Sequence, residues 1–173
     1  VVKMASTIGI TEAEAWTALE TFPGTAKRLE PILETENLTV IRDFAHAPSK
    51  VQASVSAVRE QYPNHKFLAV FEVHTYSSLN PDFMGRYKGT LDPADAVCVL
   101  YDPHVFELKR MEVPSNETIE QRFGKGQALS NLSSLKHWLS DAMETQQPMV
   151  VLLMSSGNLC GLSVDYFTDS NRS

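Results

Sequence analysis

Residues 66–73 read KFLAVFEV, and this stretch decides the fold class. Its apolar side chains follow one another without the alternation of apolar and polar residues that marks a strand with one face in water. A short, continuous apolar run of this kind predicts a β-strand that is covered on both faces. Strands buried in this way are typical of parallel sheets with helices packed on either side.

Two later stretches have the same unbroken apolar character, DAVCVLYD at 95–102 and MVVLLM at 149–154. The segments between the runs carry one apolar residue every three or four positions, which predicts helices packed on one side. The clearest helix begins after Pro48, and its apolar positions are Val51, Val55, Val58 and Tyr62. Further helices are predicted at 80–91, 115–123 and 132–143. Strands alternating with helices predict an α/β fold of the Rossmann-like kind, with a mostly parallel sheet, right-handed connections and helices on both faces.

The sheet is entered through a predicted β-hairpin at 28–44, where RLEPILETENLTVIRDF places two extended stretches about a polar ETEN turn. Upstream, Thr11 and Glu14 have the spacing of a capping box and predict a short helix. We expect this helix to end before Pro23 and Gly24.

Composition excludes several classes of function. The 173 residues, 43% hydrophobic, suffice for one well-buried domain. A net charge of -6 argues against a nucleic-acid or acidic-membrane partner, because phosphates are bound by an excess of Lys and Arg. Cys98 and Cys160 give neither a disulfide framework nor a metal-binding spacing. No apolar run approaches the ~20 residues that span a bilayer. We therefore expect a soluble, cytoplasmic protein with reduced thiols.

Polar side chains follow each predicted strand at the point where it ends. They are Asp43 and His46 after LTVIR, His74 and Tyr76 after FLAVFEV, Asp102 and His104 after AVCVLY, and Ser155 to Asn158 after VVLLM. In an open α/β sheet, ligands bind beyond the carboxyl ends of the strands. The sequence therefore predicts a ligand site at this edge.

The same residues also have structural interpretations. Asp43 and Ser49 suit a turn and a helix cap, and His46 could fill a polar hole in the loop. For Asp102, which precedes Pro103, we favour ordinary turn chemistry. A metal site formed by protein side chains alone is not expected, since no pair of histidines has the spacing that places two ligands on one helix. The FGKGQ stretch at 123–127 lacks a complete phosphate-loop motif, and Gly124 is better interpreted as a helix stop.

Two motifs in order, FPGTAKRLE at 22–30 and DFAHAPSK at 43–50, resemble the carboxy-terminal domain of the Mur ligases. These enzymes use the energy of ATP to form amide bonds, and they build or recycle the stem peptide of peptidoglycan. The resemblance covers about residues 1–165. It implies that 1–21 is the terminal helix of a preceding ATPase domain and that 22–173 is the carboxy-terminal domain. The amino-terminal and central domains of the same ligase would then be its partners.

The resemblance also implies roles for particular residues. Arg28 would be catalytic and would contact the phosphates of ATP, and Asp43 would bind the ribose. His46 would lie near the reacting centre, as a catalytic and substrate-binding residue, while His74 and Tyr76 would bind the acceptor amine. The substrates would be ATP, UDP-N-acetylmuramate and an amino acid or peptide. Mg²⁺ would be held mainly by the central domain, so the isolated chain should not turn over ATP.

Within the family, Phe44 and Ala45 are most similar to the branch that acts on UDP-N-acetylmuramate, to its murein peptide ligases first and its L-alanine ligases second. Three positions depart from the family pattern. The second histidine of D-F-A-H-H-P is Ala47, and Thr75 and Ser78 occupy the positions of two arginines in the alanine ligases. The acceptor, L-alanine or an L-Ala-D-Glu-diamino acid tripeptide, therefore stays open.

The sequence also allows two other classes of protein. A free-standing, non-catalytic nucleotide-binding or regulatory α/β module would pack the helix at 11–21 on this same domain and would bind nucleotide by itself. A phospho-acceptor receiver domain is less favoured, because no acidic cluster follows the first strand.

Overall fold

The computed structural model describes residues 2–20 and 28–169. Its strands are β1 (Glu30–Glu34), β2 (Leu38–Asp43), β3 (Lys66–Val73), β4 (Ala96–Tyr101), β5 (Gln127–Leu129) and β6 (Met149–Met154). Its helices are α1 (Val2–Ser6), α2 (Glu12–Glu20), α3 (Pro48–Gln61), α4 (Tyr76–Leu79), α5 (Pro81–Met84), α6 (Pro103–Leu108), α7 (Asn116–Phe123), α8 (Leu132–Met143) and α9 (Asp165–Asp169). Two single 3₁₀ turns span Gly85–Tyr87 and Leu159–Gly161.

The six strands form one sheet in the order β1-β2-β6-β3-β4-β5. The β1–β2 hairpin is antiparallel, and every other pair is parallel. The last strand of the chain thus lies in the centre of the sheet, between β2 and β3. The predicted fold class and its entry through a hairpin are confirmed.

Helices cover both faces, as the unbroken apolar strands require. In β3, Phe67, Ala69 and Phe71 face one core cluster, while Leu68 and Val70 face the other, and all five are buried. The first cluster includes the apolar stripe of α3, and the second includes that of α8. This arrangement leaves the carboxyl edge of the sheet as the place where loops converge.

Three details differ from the sequence-based expectation or refine it. The helix expected at 80–91 is shorter, since α5 ends at Met84 and a 3₁₀ turn begins at Gly85. The strand β5 was not predicted, because three residues are too few to show a periodicity. Gly124 ends α7 in the left-handed region, with φ of 74°, so its interpretation as a helix stop is confirmed.

The Thr11–Glu14 capping box is present at the start of α2, where the backbone N–H of Thr11 donates to Glu14 at 2.9 Å. Pro23 and Gly24 lie outside the described residues, as does most of the FPGTAKRLE motif. None of the described helices is both long and apolar enough to cross a membrane.

Candidate functional site

The sheet order brings the ends of β2, β6, β3 and β4 side by side at the carboxyl edge. Neighbouring strands are about 4.8 Å apart, so the end of β2 is roughly 10 Å from the end of β3, with β6 between them. The residues that follow β2 and those that follow β3 therefore form two halves of one edge.

Asp43, the last residue of β2, is a fixed carboxylate at the base of the first half. It is 4% exposed. Its Oδ1 accepts from the backbone N–H of Leu29 at 3.0 Å, and its Oδ2 accepts from the N–H of Ala45 at 3.1 Å and the hydroxyl of Ser54 at 2.6 Å. The side chain thus joins the segment before β1, the loop after β2 and helix α3. Sequence analysis anticipated a turn residue here but not these long-range contacts.

A depression of about 190 Å³ opens beside Asp43, and Arg28 and Lys50 also line it. Both basic residues are exposed, so two positive charges border a cavity that has a carboxylate in its wall. The N-terminus of α3 lies next to this cavity, because Lys50 is in its first turn. Its N-cap residue, Ala47, provides no side-chain cap. The N–H groups of Lys50 and Val51 donate to the Ala47 carbonyl, so the attraction of this helix start for an anion comes mainly from the helix dipole.

His46 follows on the loop between β2 and α3, and its ring is held in one tautomer. Its Nδ1 lies 2.9 Å from the carbonyl oxygen of Phe44. Because a carbonyl only accepts, Nδ1 carries the proton in the neutral ring and Nε2 keeps a lone pair. The backbone is fixed as well, since the Tyr87 hydroxyl donates to the His46 carbonyl at 2.5 Å. Burial raises the pKa of Tyr87 to about 12, so this hydroxyl stays protonated at neutral pH.

Glu72, near the end of β3, organises the loop that follows β6. The side chain is 2% exposed. It accepts from the Ser155 hydroxyl, from the N–H of Leu159 at 3.0 Å and from the N–H of Cys160 at 3.3 Å. Sequence reasoning gave Glu72 no role. The available signal was a charged residue inside an otherwise apolar strand, which is rare unless the charge is satisfied.

Gly157 lies in the loop after β6 and packs against two residues at the end of β3, Glu72 and His74. A Cβ added at this position would lie 2.7 Å from Glu72 Oε2 and 2.7 Å from His74 Nδ1. Real Cβ atoms do not approach other atoms this closely, so a larger residue would force Glu72, His74 or the loop to shift. The loop and the β3 end therefore fit together tightly.

His74 lies in the turn after β3, and Tyr76 is the first residue of α4. The carbonyl oxygen of His74 accepts a hydrogen bond from the Lys109 ammonium, which lies 4.7 Å from the centroid of the Tyr76 ring. Tyr76 itself is 67% exposed. Sequence analysis did not single out Lys109, because the contact joins two loops that are 35 residues apart.

Asp102 and His104 do not join these groups. Asp102 caps α6, and its Oδ1 accepts from the N–H of His104 at 2.9 Å. His104 is exposed and lies 3.5 Å from Glu107. The turn interpretation of Asp102 is confirmed. Among the residues that the structure describes, no group of three His, Cys, Asp or Glu side chains could hold a metal ion.

A larger depression of about 270 Å³ lies beside the loop after β6 and is lined by Arg42, Ser155, Asn158 and Leu162. Its one guanidinium is engaged by Glu30, at 3.0 Å. The smaller depression at Asp43 has two basic residues on its rim, and two of its lining residues, Arg28 and Asp43, are residues that the sequence predicts for the site.

A family profile described as Mur ligase, glutamate ligase domain, matches residues 27–157. The chain belongs to this family. A UDP-N-acetylmuramate–L-alanine ligase from Christiangramia forsetii is 31% identical over 156 residues, which are 90% of this chain and 33% of that relative. The chain thus spans about a third of the length of the curated relatives it matches.

Two solved structures share the fold. A murein peptide ligase from Psychrobacter arcticus matches 99% of this chain and 35% of its own, with a TM-score of 0.70 and 19% identity. A folylpolyglutamate synthase from Mycobacterium tuberculosis, solved with ADP and AMPPCP, matches 95% of this chain and 36% of its own, with a TM-score of 0.57 and 17% identity. The resemblance to the Mur ligase carboxy-terminal domain is therefore confirmed, and so is the mostly parallel α/β fold expected for it.

Proposed function

We propose that this chain is the carboxy-terminal part of an ATP-dependent ligase that joins UDP-N-acetylmuramate to an amino acid or peptide in peptidoglycan synthesis or recycling. The reaction would proceed through an acyl phosphate of the muramyl carboxylate. The observation that carries the proposal is the depression shared by Arg28, Asp43 and Lys50 at the N-terminus of α3. Membership of the Mur ligase family supports it.

The arrangement suits the phosphates and the ribose of a nucleotide. ATP, when bound, supplies the phosphoryl group that activates the carboxylate, and negative charge accumulates on the phosphoryl oxygens. The Arg28 guanidinium can hydrogen-bond two such oxygens and does not lose its proton. Lys50 and the positive end of the α3 dipole add positive potential on the same side.

Asp43 can bind one ribose hydroxyl without giving up its structural contacts. A carboxylate has about four acceptor positions, and the three protein donors occupy one on Oδ1 and two on Oδ2. The position left on Oδ1 can accept from one hydroxyl. Both ribose hydroxyls could not bind together while the N–H of Leu29 stays in place.

His46 is the residue proposed to contact the incoming amine. Its Nε2 lone pair can accept a hydrogen bond or a proton from an ammonium group, while Nδ1 stays bonded to the Phe44 carbonyl. His74 and Tyr76, roughly 10 Å along the edge, are proposed to bind the acceptor. These roles place nucleotide and acceptor at opposite halves of one site.

The proposal includes the remainder of the ligase. Residues 1–21 are proposed to belong to a preceding ATPase domain, which would supply the phosphate loop and the ligands of Mg²⁺, and 22–173 would close over the nucleotide as a lid. Exposed apolar side chains on the two N-terminal helices and the turn between them, Met4, Ile8 and Trp16, support a neighbouring surface there.

The test is turnover by the complete ligase that carries this chain. Arg28→Ala is expected to lower kcat by roughly 10²-fold or more, because it removes a donor that stabilises transition-state charge. Arg122→Ala is a matched control, since Arg122 is an exposed arginine on α7 that pairs only loosely with Asp82, at 3.8 Å. Unchanged kcat in Arg28→Ala, or an equal loss in the control, would contradict the proposal.

A further inference from the structure

Lys109 carries a positive charge beside the turn that follows β3, in the half of the carboxyl edge that is proposed to bind the acceptor. Within residues 2–20 and 28–169, it makes no ion pair. Its ammonium has three N–H donors, and the carbonyl oxygen of His74 is the acceptor that the described residues provide. The exposed ring of Tyr76 lies 4.7 Å from Nζ and covers another side. The ammonium therefore retains donors for a ligand.

The backbone holds Lys109 in this place. Its N–H donates to the carbonyl oxygens of Val105 at 3.2 Å and Phe106 at 3.1 Å at the end of α6. The chain then reverses at Arg110, whose φ is 55°, and the N–H of Met111 returns to the Phe106 carbonyl at 2.9 Å. Phe106 is fully buried and anchors the turn in the core. The lysine is thus presented from a fixed helix end.

The electrostatic setting favours an anion. Burial lowers the pKa of Lys109 from its ordinary value, since the ammonium is partly removed from water. Partial desolvation also strengthens its attraction for a negative group, because less water screens the charge. The dipole of the His74 carbonyl and the face of the Tyr76 ring compensate the charge of the Lys109 ammonium only in part.

The neighbouring turn uses its own polar side chains internally. Thr75 and Ser78 form a capping box at α4, in which the N–H of Ser78 donates to Thr75 Oγ1 at 3.2 Å and the N–H of Thr75 donates to Ser78 Oγ at 3.0 Å. The described turn therefore supplies no cation of its own, and Lys109 reaches it from α6.

We infer that Lys109 binds a carboxylate of the acceptor amine, with the Tyr76 ring packed against the acceptor's apolar part. This inference rests on the proposed ligase function and names the group that recognises the acceptor. Lys109 would be a specificity-determining residue, which touches the acceptor away from the reacting amine.

The first experiment separates binding from turnover in the complete ligase. Lys109→Met is expected to raise the KM of the acceptor about tenfold or more, as loss of a charged hydrogen-bond partner commonly does, while kcat and the KM of ATP change little. Lys109→Arg should retain most of the affinity. Lys136→Met is the matched control, because Lys136 also lies over a tyrosine ring, that of Tyr166 at 5.7 Å, but it is on α8 and makes no contact with the turn after β3 among the contacts of the described residues. A fall in kcat with no change in acceptor KM would overturn the inference.

The second experiment asks whether the carboxylate is what Lys109 recognises. L-alanine is compared with L-alaninamide, or the tripeptide with its carboxy-terminal amide, whichever acceptor the ligase uses. The wild type should prefer the carboxylate, and Lys109→Met should lose this preference. A preference that persists in Lys109→Met, or equal use of both acceptors by the wild type, would refute the inference and leave the ligase function standing. Absence of amide formation with every acceptor would instead refute the proposed function.

Discussion

Asp43 shows how one side chain serves both the fold and the proposed site. Its carboxylate receives donors from three separate segments of the chain, and the hydrogen bonds within the protein leave one acceptor position on Oδ1. The structural and the functional interpretations of this residue are therefore compatible. The same contacts make Asp43 costly to replace.

Asp43→Ala is expected to destabilise the chain by about 2–4 kcal/mol, because it leaves three donors, two of them backbone N–H groups, without an acceptor. The measurement is the free energy of unfolding of the variant and of the wild type, determined by urea denaturation. Asp141→Ala is the control, since Asp141 is exposed and pairs with His137 at 3.4 Å on the surface of α8. Equal stability of the two variants would show that the contacts of Asp43 contribute little.

Individual residues were predictable from sequence to different degrees. Asp43 and His46 stand out because they follow a strand within a short motif. Glu72 and Lys109 were missed because their roles arise from contacts with segments 83 and 35 residues away in sequence. No periodicity or local spacing encodes such contacts.

At the scale of elements, the loop after β6 depends on a close fit between Gly157 and the end of β3. Glu72 binds this loop through a hydroxyl and two backbone N–H groups. The loop is therefore positioned by a buried carboxylate, and a side chain at 157 would push it away from the sheet.

Gly157→Ala is expected to lower the free energy of unfolding by about 1–3 kcal/mol, because the new methyl group would overlap Glu72 and His74. Thermal or urea unfolding of the isolated chain measures this cost. Gly85→Ala is the matched control: its φ is -58°, and no atom lies within 4 Å of the added Cβ. The control should be neutral or stabilised by up to about 1 kcal/mol. Equal changes in the free energy of unfolding for the two substitutions would show that the loop can shift to accommodate the methyl group.

The elements themselves were largely predictable. Long apolar or periodic segments identified β3, β4, β6, α3 and α8, and turn residues identified the β1–β2 hairpin. Short elements were not predictable with the same reliability. β5 has three residues and depends on its pairing with β4, while glycine at 85 ends the helix that the apolar spacing had extended to 91.

At the scale of the whole molecule, the proposal divides nucleotide binding between this chain and the remainder of a ligase. The isolated chain offers Arg28, Asp43 and Lys50 in an open depression. Few contacts on one side of a triphosphate give weak binding, since most of the ligand stays in water.

A titration of the isolated chain with ATP is expected to show no saturation at micromolar concentration, whereas the complete ligase should bind. Trp16, which is 54% exposed, provides a second signal. In a Trp138→Phe background its fluorescence should be quenched readily by acrylamide in the isolated chain and protected in the complete ligase. Micromolar ATP binding by the isolated chain would instead favour a free-standing nucleotide-binding module.

The central position of β6 bears on how the protein is made. Strands β1 and β2 are synthesised before β3 to β5, yet the two groups have no direct pairing with each other. Until Met149–Met154 has been synthesised, each group presents an unpaired strand edge that can aggregate. The sheet therefore closes only once β6 has been synthesised, and a nascent chain that stalls before this strand keeps two strand edges exposed.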